Sequence, residues 1–258
     1  MMVLVAISAP AAAHVFWVAP QDYTPRPGDQ VVAALKTGQM LQGMDYPYLS
    51  DRFQSFTITT RHGTRNAEGF DGDIPALSYV ATTRGLNVIT FHSTPLRVTY
   101  VTFEQFTKYL EYEGQGNIAA AHQKRGLPQS GFIERYIRYA KALVQVGPVG
   151  DKDRDRPLGL LFELVAEGNP YVAGMDKLPV VLLWRGKPLA GQQIAVLRKN
   201  VEVTRSLVFT DEEGRADIPL TGGGAFVLNA VHIEPVEDGK VVWQSHWASL
   251  TFKVPSHD

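Results

Sequence analysis

From residue 14 to about residue 100 the apolar and polar positions alternate in short runs broken by turn residues. Pro25, Pro27, Gly28 and Asp29 precede a β-type run over 31–35. Phe53, Phe56 and Ile58, the run 88–91, and then Val98, Tyr100 and Thr102 continue the pattern of short strands. The polar, turn-rich stretch 61–72 between them reads as a surface loop. The period then changes. Phe103, Phe106 and Leu110 recur at three and four residues and stop at Glu113 and Gly114, which predicts a helix. A second helix is expected over 132–144, where Ile133, Ile137, Ala140 and Val144 form one stripe and Glu134 stands one turn from Arg138 for an ion pair. Arg135, Arg138 and Lys141 on that helix read as a solvated face.

Residues 147–157 combine Pro148 and Gly150 with alternating acidic and basic side chains, the composition of a linker. Two domains are therefore expected: an N-terminal β-domain over 14–147 that includes a helical segment at 103–145, and a C-terminal domain over 155–258. Beyond the linker, strand candidates at 178–184, 192–197, 207–210, 216–220, 225–233, 241–244 and 248–254 have the spacing of an immunoglobulin-like β-sandwich. The phrases GKPLAGQQIAVL and TDEEGRADIPL resemble the transthyretin-like or carboxypeptidase-regulatory kind of module. The expected fold class is mainly β: two immunoglobulin-like β-sandwich domains with a helical insertion between them.

The first thirteen residues, MMVLVAISAPAAA, are uncharged, apolar and then small, like the end of a secretory signal peptide with its A-x-A cleavage site. The usual positive leading segment is missing, so the true start lies upstream of Met1 or the signal is clipped. A periplasmic or otherwise exported protein is expected. No later apolar run approaches the roughly 20 residues that span a bilayer, so no membrane span is expected in the mature chain.

Composition narrows the partners. Lys and Arg total 25 against 26 Asp and Glu, so nothing draws the chain to nucleic acid by bulk charge. The absence of cysteine removes disulfides, thiolate metal sites and thiol nucleophiles.

Four phrases, AHVFWVAP, GQMLQGMDYPY, ERYIRYAKALVQVG and SHWASLTF, resemble the bacterial exported family catalogued as domain of unknown function 4198. The resemblance spans about 14–254. It implies a periplasmic β-protein linked to nickel-uptake accessory proteins, with no established reaction and no catalytic residue to carry across.

The chemistry of the residues points the same way. Cleavage after Ala13 would make His14 the first residue, whose amine and imidazole chelate copper or nickel; cleavage after Ala11 would leave Ala-Ala-His, whose amine, two amide nitrogens and imidazole suit square-planar Cu(II) or Ni(II). His92, at a strand end in TFHSTP, and His246, in SHWASL, are the expected further metal ligands; the alternative for each is a hydrogen-bonded structural histidine. Met40 and Met44 offer thioethers to Cu(I), or else fill a core. Residues 151–155, DKDRD, start like a calcium loop, but Arg156 and Phe162 stand where that loop needs Gly and Glu, so they read as charged linker. No nucleophile elbow, H-E-x-x-H pair or phosphate loop is present, so no catalytic residue is assigned and no enzyme is expected. The expectation is a periplasmic binding or accessory protein that handles nickel, cobalt or copper for uptake, with a membrane metal transporter or envelope protein as partner. The competing expectation is a non-catalytic structural or protein-interaction module of the cell envelope.

Overall fold

The computed structural model describes residues 14–255; the expected signal segment lies outside them. In chain order the N-terminal half forms β1 (Val15–Pro20), β2 (Gln30–Gln39), β3 (Gln42–Tyr46), β4 (Phe53–Thr60), β5 (Gly63–Asn66), β6 (Leu77–Val80), β7 (Gly85–Ser93), β8 (Leu96–Tyr100), α1 (Phe103–Tyr112), α2 (Gly116–Lys124) and β9 (Phe132–Val146). The C-terminal half adds β10 (Phe162–Ala166), β11 (Lys177–Trp184), β12 (Lys187–Pro188), β13 (Gln193–Lys199), β14 (Val203–Phe209), β15 (Arg215–Pro219), β16 (Gly224–Asp238) and β17 (Val241–Val254). The mainly β expectation holds. Among the described residues no helix is long and apolar enough to cross a membrane.

The strands make three sheets. A nine-stranded sheet runs β14-β13-β16-β17-β9-β7-β4-β5, with β8 also on β9. Its one parallel pair, β17 with β9, joins strands from the two halves of the chain. The four-stranded sheet of β10, β11, β12 and β15 covers one face of this central sheet, where Leu143, Phe162, Leu182, Leu228 and Leu250 share a core. The other four-stranded sheet, β1, β2, β3 and β6, covers the opposite face, where Phe16, Leu35, Ile58, Phe91 and Ala142 pack. Beside it, on that same face, α1 and α2 bury Phe106, Tyr109 and Leu110 against Trp243 and Trp247.

This arrangement corrects the helix expected over 132–144. Those residues form β9, in the middle of the central sheet. A strand covered on both faces carries a near-continuous apolar run, and such a run contains a 3.6-residue stripe by chance. The expected ion pair between Glu134 and Arg138 does not form. Glu134 is buried among hydroxyls, and the Arg138 guanidinium lies over the rings of Phe16 and Tyr136, 4.9 and 5.1 Å from their centroids. Lys141 is not on a solvated face either: it is 1% exposed and paired with Asp155 and Glu163.

The helix begun at Phe103 does form, capped by the Thr102 hydroxyl, which accepts from the Gln105 amide. It ends at Tyr112 with Glu113 as its C-cap, and Gly114 follows with φ of 72°. The second helix is the less patterned segment α2, which buries Ile118 and His122. Trp243 Nε1 donates to His122 Nδ1 at 3.0 Å, and His122 Nε2 lies 2.9 Å from the Pro128 carbonyl oxygen.

Candidate functional site

His14 sits just before β1, whose register with β2 begins at Val15 opposite Gly38. Strands β2 and β3 are joined by a two-residue turn at Met40 and Leu41, with φ of 51° and 55°. Such turns need left-handed backbone at both positions and usually take Asn and Gly; a bulky residue there costs on the order of 1 kcal/mol or more. Behind the turn two glycines face each other. A Cβ on Gly38 would lie 2.0 Å from the Gln42 carbonyl oxygen and 2.4 Å from the Gly43 Cα. Gly38→Ala is therefore expected to unpair β3 and to lower stability by roughly 1–3 kcal/mol, read as a shift in the urea midpoint. The hairpin so held makes a groove of about 480 Å³ lined by His14, Met40 and Met44. Met44 is 76% exposed, which excludes the core-filling role, while Met40 is partly buried beside Trp17 and Val227. An imidazole and two thioethers line this groove, and they are donor types that soft metal ions take.

His92 and His246 lie elsewhere, on the opposite face of the central sheet from β1. His92 is opposite Tyr139 on β9, and its ring stacks 4.7 Å from that phenol. Burial lowers its pKa, so it stays neutral near pH 7. His246 on β17 is fully buried, and its Nδ1 lies 3.2 Å from the Tyr139 hydroxyl. Its Nε2 lies 3.1 Å from Glu234 Oε1, with Gln244 Nε2 at 3.0 Å. Burial pushes its pKa down to about 4, against the pull of Glu234. The neutral ring that fits Tyr139 and Glu234 accepts from the Tyr139 hydroxyl at Nδ1 and donates to Glu234 from Nε2, so both nitrogens are engaged, while Gln244 Nε2 donates to the same Glu234 Oε1 at 3.2 Å.

The sequence reading missed the rest of this row. His232 on β16 is directly opposite His246, and Glu234 is opposite Gln244. Trp184, at the end of β11, packs 4.4 Å from the His232 ring and 4.7 Å from the His246 ring. Arg185 caps it, its guanidinium 4.9 Å from the indole and 3.0 Å from Glu234 Oε2. The phrase VHIEPVEDGKVVWQSHW signals the hairpin but not the pair: counting back from Asp238 opposite Val241 places Ile233 across from His246, and it is the register shift between Pro235 and Asp238 that brings His232 there. Among the described residues no three His, Cys, Asp or Glu side chains form a group able to hold a metal ion. His92 and His246 thus meet through Tyr139, and His14 instead shares the lining of the β2–β3 groove with Met40 and Met44.

A family model described as Domain of unknown function (DUF4198) matches residues 11–234, most of the chain. The protein belongs to that family. No curated protein matches this DUF4198 chain. Among solved structures, a biofilm associated protein, BSP domain, matches with 12% identity over 93% of this chain and a TM-score of 0.20, and the DUF4198 chain spans 30% of that structure's length. The D0-D1 domain of intimin matches with 13% identity, 91% of this chain, 96% of that one and a TM-score of 0.21. Likeness at that level carries no argument about fold or function.

Proposed function

We propose that the protein is an exported, non-catalytic binding protein that handles a transition-metal ion, nickel, cobalt or copper, as cargo for uptake through a membrane transporter or envelope partner. The observation that carries this reading is the groove at the β2–β3 tip, where His14, at the end of the signal-like segment, shares one lining with Met40 and Met44. Imidazole suits all three metals, whereas thioethers select Cu(I), so cuprous copper is the preferred cargo. His14 gains a terminal amine as a further donor if processing ends at Ala13. The strained Met40 and Leu41 turn also supports a role for the groove, because stored backbone strain concentrates at functional sites. His92 and His246 are kept out of the preferred donor set, since His246 has both nitrogens engaged and His92 stacks on Tyr139.

The test is titration of the exported protein with Cu(I), Cu(II), Ni(II) and Co(II), beside His14→Ala, Met44→Leu and His246→Ala. One-to-one Cu(I) binding that weakens at least tenfold in the first two variants, and is unchanged in the third, is the expected result. Loss only in His246→Ala would move the cargo site to the row beside Trp184. Binding indifferent to all three would leave the second reading, a non-catalytic interaction module of the envelope. That reading is favoured by the outer edge of β14, where Leu207 and Phe209 are exposed on a strand paired on one side alone.

A further inference from the structure

Three neighbouring strands of the central sheet bring two lysines into one row. Lys199 on β13 is opposite Ala225 on β16, and Ala225 is opposite Lys253 on β17. Residues directly opposite share a face, so the lysines flank a single small side chain. Their face is the one that β1 covers, because Leu197 and Val227, two residues away on β13 and β16, pack against Trp17. A cleft of about 630 Å³ opens there, walled by Trp17, Tyr23 and Leu41 and lined by Lys36 as a third lysine, with no acidic residue in its lining.

The charges are uneven. Lys36 is paired with Asp45, but among the described residues no carboxylate oxygen lies within salt-bridge distance of Lys199 or Lys253. The chain as a whole has a net charge of −1, so the positive character is local to this cleft. Like charges placed on one face at the same register repel, and an anion between them relieves that repulsion. The floor is kept low by Gly224, whose φ is 109° and where a Cβ would lie 2.5 Å from the Lys199 carbonyl oxygen. Backbone of β16 thus approaches β13 closely at the mouth, and Ala225 leaves the space between the two lysines open.

We propose that this cleft binds an amphiphilic anion, a phosphate or carboxylate head carried on a hydrocarbon chain. Lys199 and Lys253 receive the head, and Trp17, Tyr23 and Leu41 cover the first part of the chain. The site is separate from the groove of His14 and does not depend on metal handling. It rests on register, charge and cavity together.

The probe is octyl phosphate, titrated into the full chain and followed by tryptophan fluorescence and calorimetry. Inorganic phosphate and neutral octyl glucoside are the partial ligands. Saturable one-to-one binding of octyl phosphate is expected, with each partial ligand at least tenfold weaker. The double variant Lys199→Gln, Lys253→Gln is expected to weaken octyl phosphate at least tenfold, while Lys187→Gln, an exposed lysine on β12, leaves it unchanged. An unaltered melting temperature shows that the double variant is folded. Co-sedimentation with phosphatidylglycerol vesicles that is lost in the double variant would place the anion on membrane lipid; octyl phosphate binding without co-sedimentation would place it on a free amphiphile. Both support the site. Octyl glucoside binding as tightly as octyl phosphate, or octyl phosphate binding that ignores Lys199 and Lys253, would overturn it.

Discussion

Lys141→Met is expected to destabilise the protein by roughly 3–5 kcal/mol, because it strips the cation from two buried carboxylates. Lys141 projects from the middle of β9 into the layer beneath β10. Its Nζ donates to Asp155 Oδ2 at 2.8 Å and to Glu163 Oε1 at 3.0 Å, and none of the three side chains is more than 1% exposed. Backbone amides complete the network: Ala166 donates to Asp155 Oδ2 at 3.0 Å, and Leu158 to Glu163 Oε1 at 2.8 Å. Methionine fills the same length without charge. The penalty therefore comes from the carboxylates left behind, not from a cavity. Urea unfolding at pH 7 measures it, and adding Asp155→Asn and Glu163→Gln to the methionine variant is expected to recover part of the loss. A loss below about 1 kcal/mol would mean that the carboxylates simply take up protons or water, and that the network contributes little.

That network shows where sequence pattern was sufficient and where it was not. The alternation of Val98, Tyr100 and Thr102 and the switch at Phe103 were readable because each reflects one element and its own burial. The strand β9 was not, because its burial comes from two other sheets that are distant in sequence, and a run buried on both faces keeps no two-residue alternation. Residues 151–155 were misread for a related reason. Their composition is that of a solvated linker, yet Asp155 is the partner of a buried lysine, and Asp153 Oδ2 accepts from the Gly150 amide at 2.8 Å and from Gln145 Nε2 at 2.9 Å. Charge in a sequence reads as surface until its partner is known.

The candidate residues divide in the same way. His92 and His246 reach one row because their strands both pair with β9, on which Tyr139 stands between them. The pairing of His232 with His246 lies within one hairpin, yet the register shift between Pro235 and Asp238 hides it from a count that starts at the turn. The presence of His14 and Met44 in one groove depends on β1 and β3 both flanking β2, a topology that no local pattern states. The lysine row is still less visible, since Lys199 and Lys253 are 54 positions apart and become neighbours only through β16.

Two carboxyls under α1 give the protein an unusual response to pH, with stability expected to fall as pH rises from about 4.5 to about 7. Glu134 is enclosed between β9 and the helix, with the hydroxyls of Tyr100 and Tyr109 donating to it at 2.9 and 3.3 Å and Ser245 also donating. Burial raises its pKa to about 7 even though those three donors favour the ionised form. Glu113, the C-cap of α1, is raised to about 7 by burial against the opposing pull of Arg205 and Asn229. Its Oε2 accepts from Asn229 at 3.2 Å, and its Oε1 has no partner among the described residues. The negative end of the helix dipole adds to the preference for a neutral group there. Raised carboxyl pKa values mean that the folded state holds protons the unfolded chain has released. The stabilisation is complete below the unfolded value near 4.5, declines through the interval, and is gone above about 7. Each group contributes at most on the order of 3 kcal/mol across that window. Glu113→Gln supplies a permanently neutral isostere whose carbonyl can still accept from Asn229. It is expected to be more stable than the parent at pH 8, equal to it near pH 4.5, and to remove about half of the slope between them, with the gain seen as slower amide exchange in α1. An unchanged slope in urea midpoints at pH 4.5, 6 and 8 would show that Glu113 titrates normally and that water reaches its second oxygen.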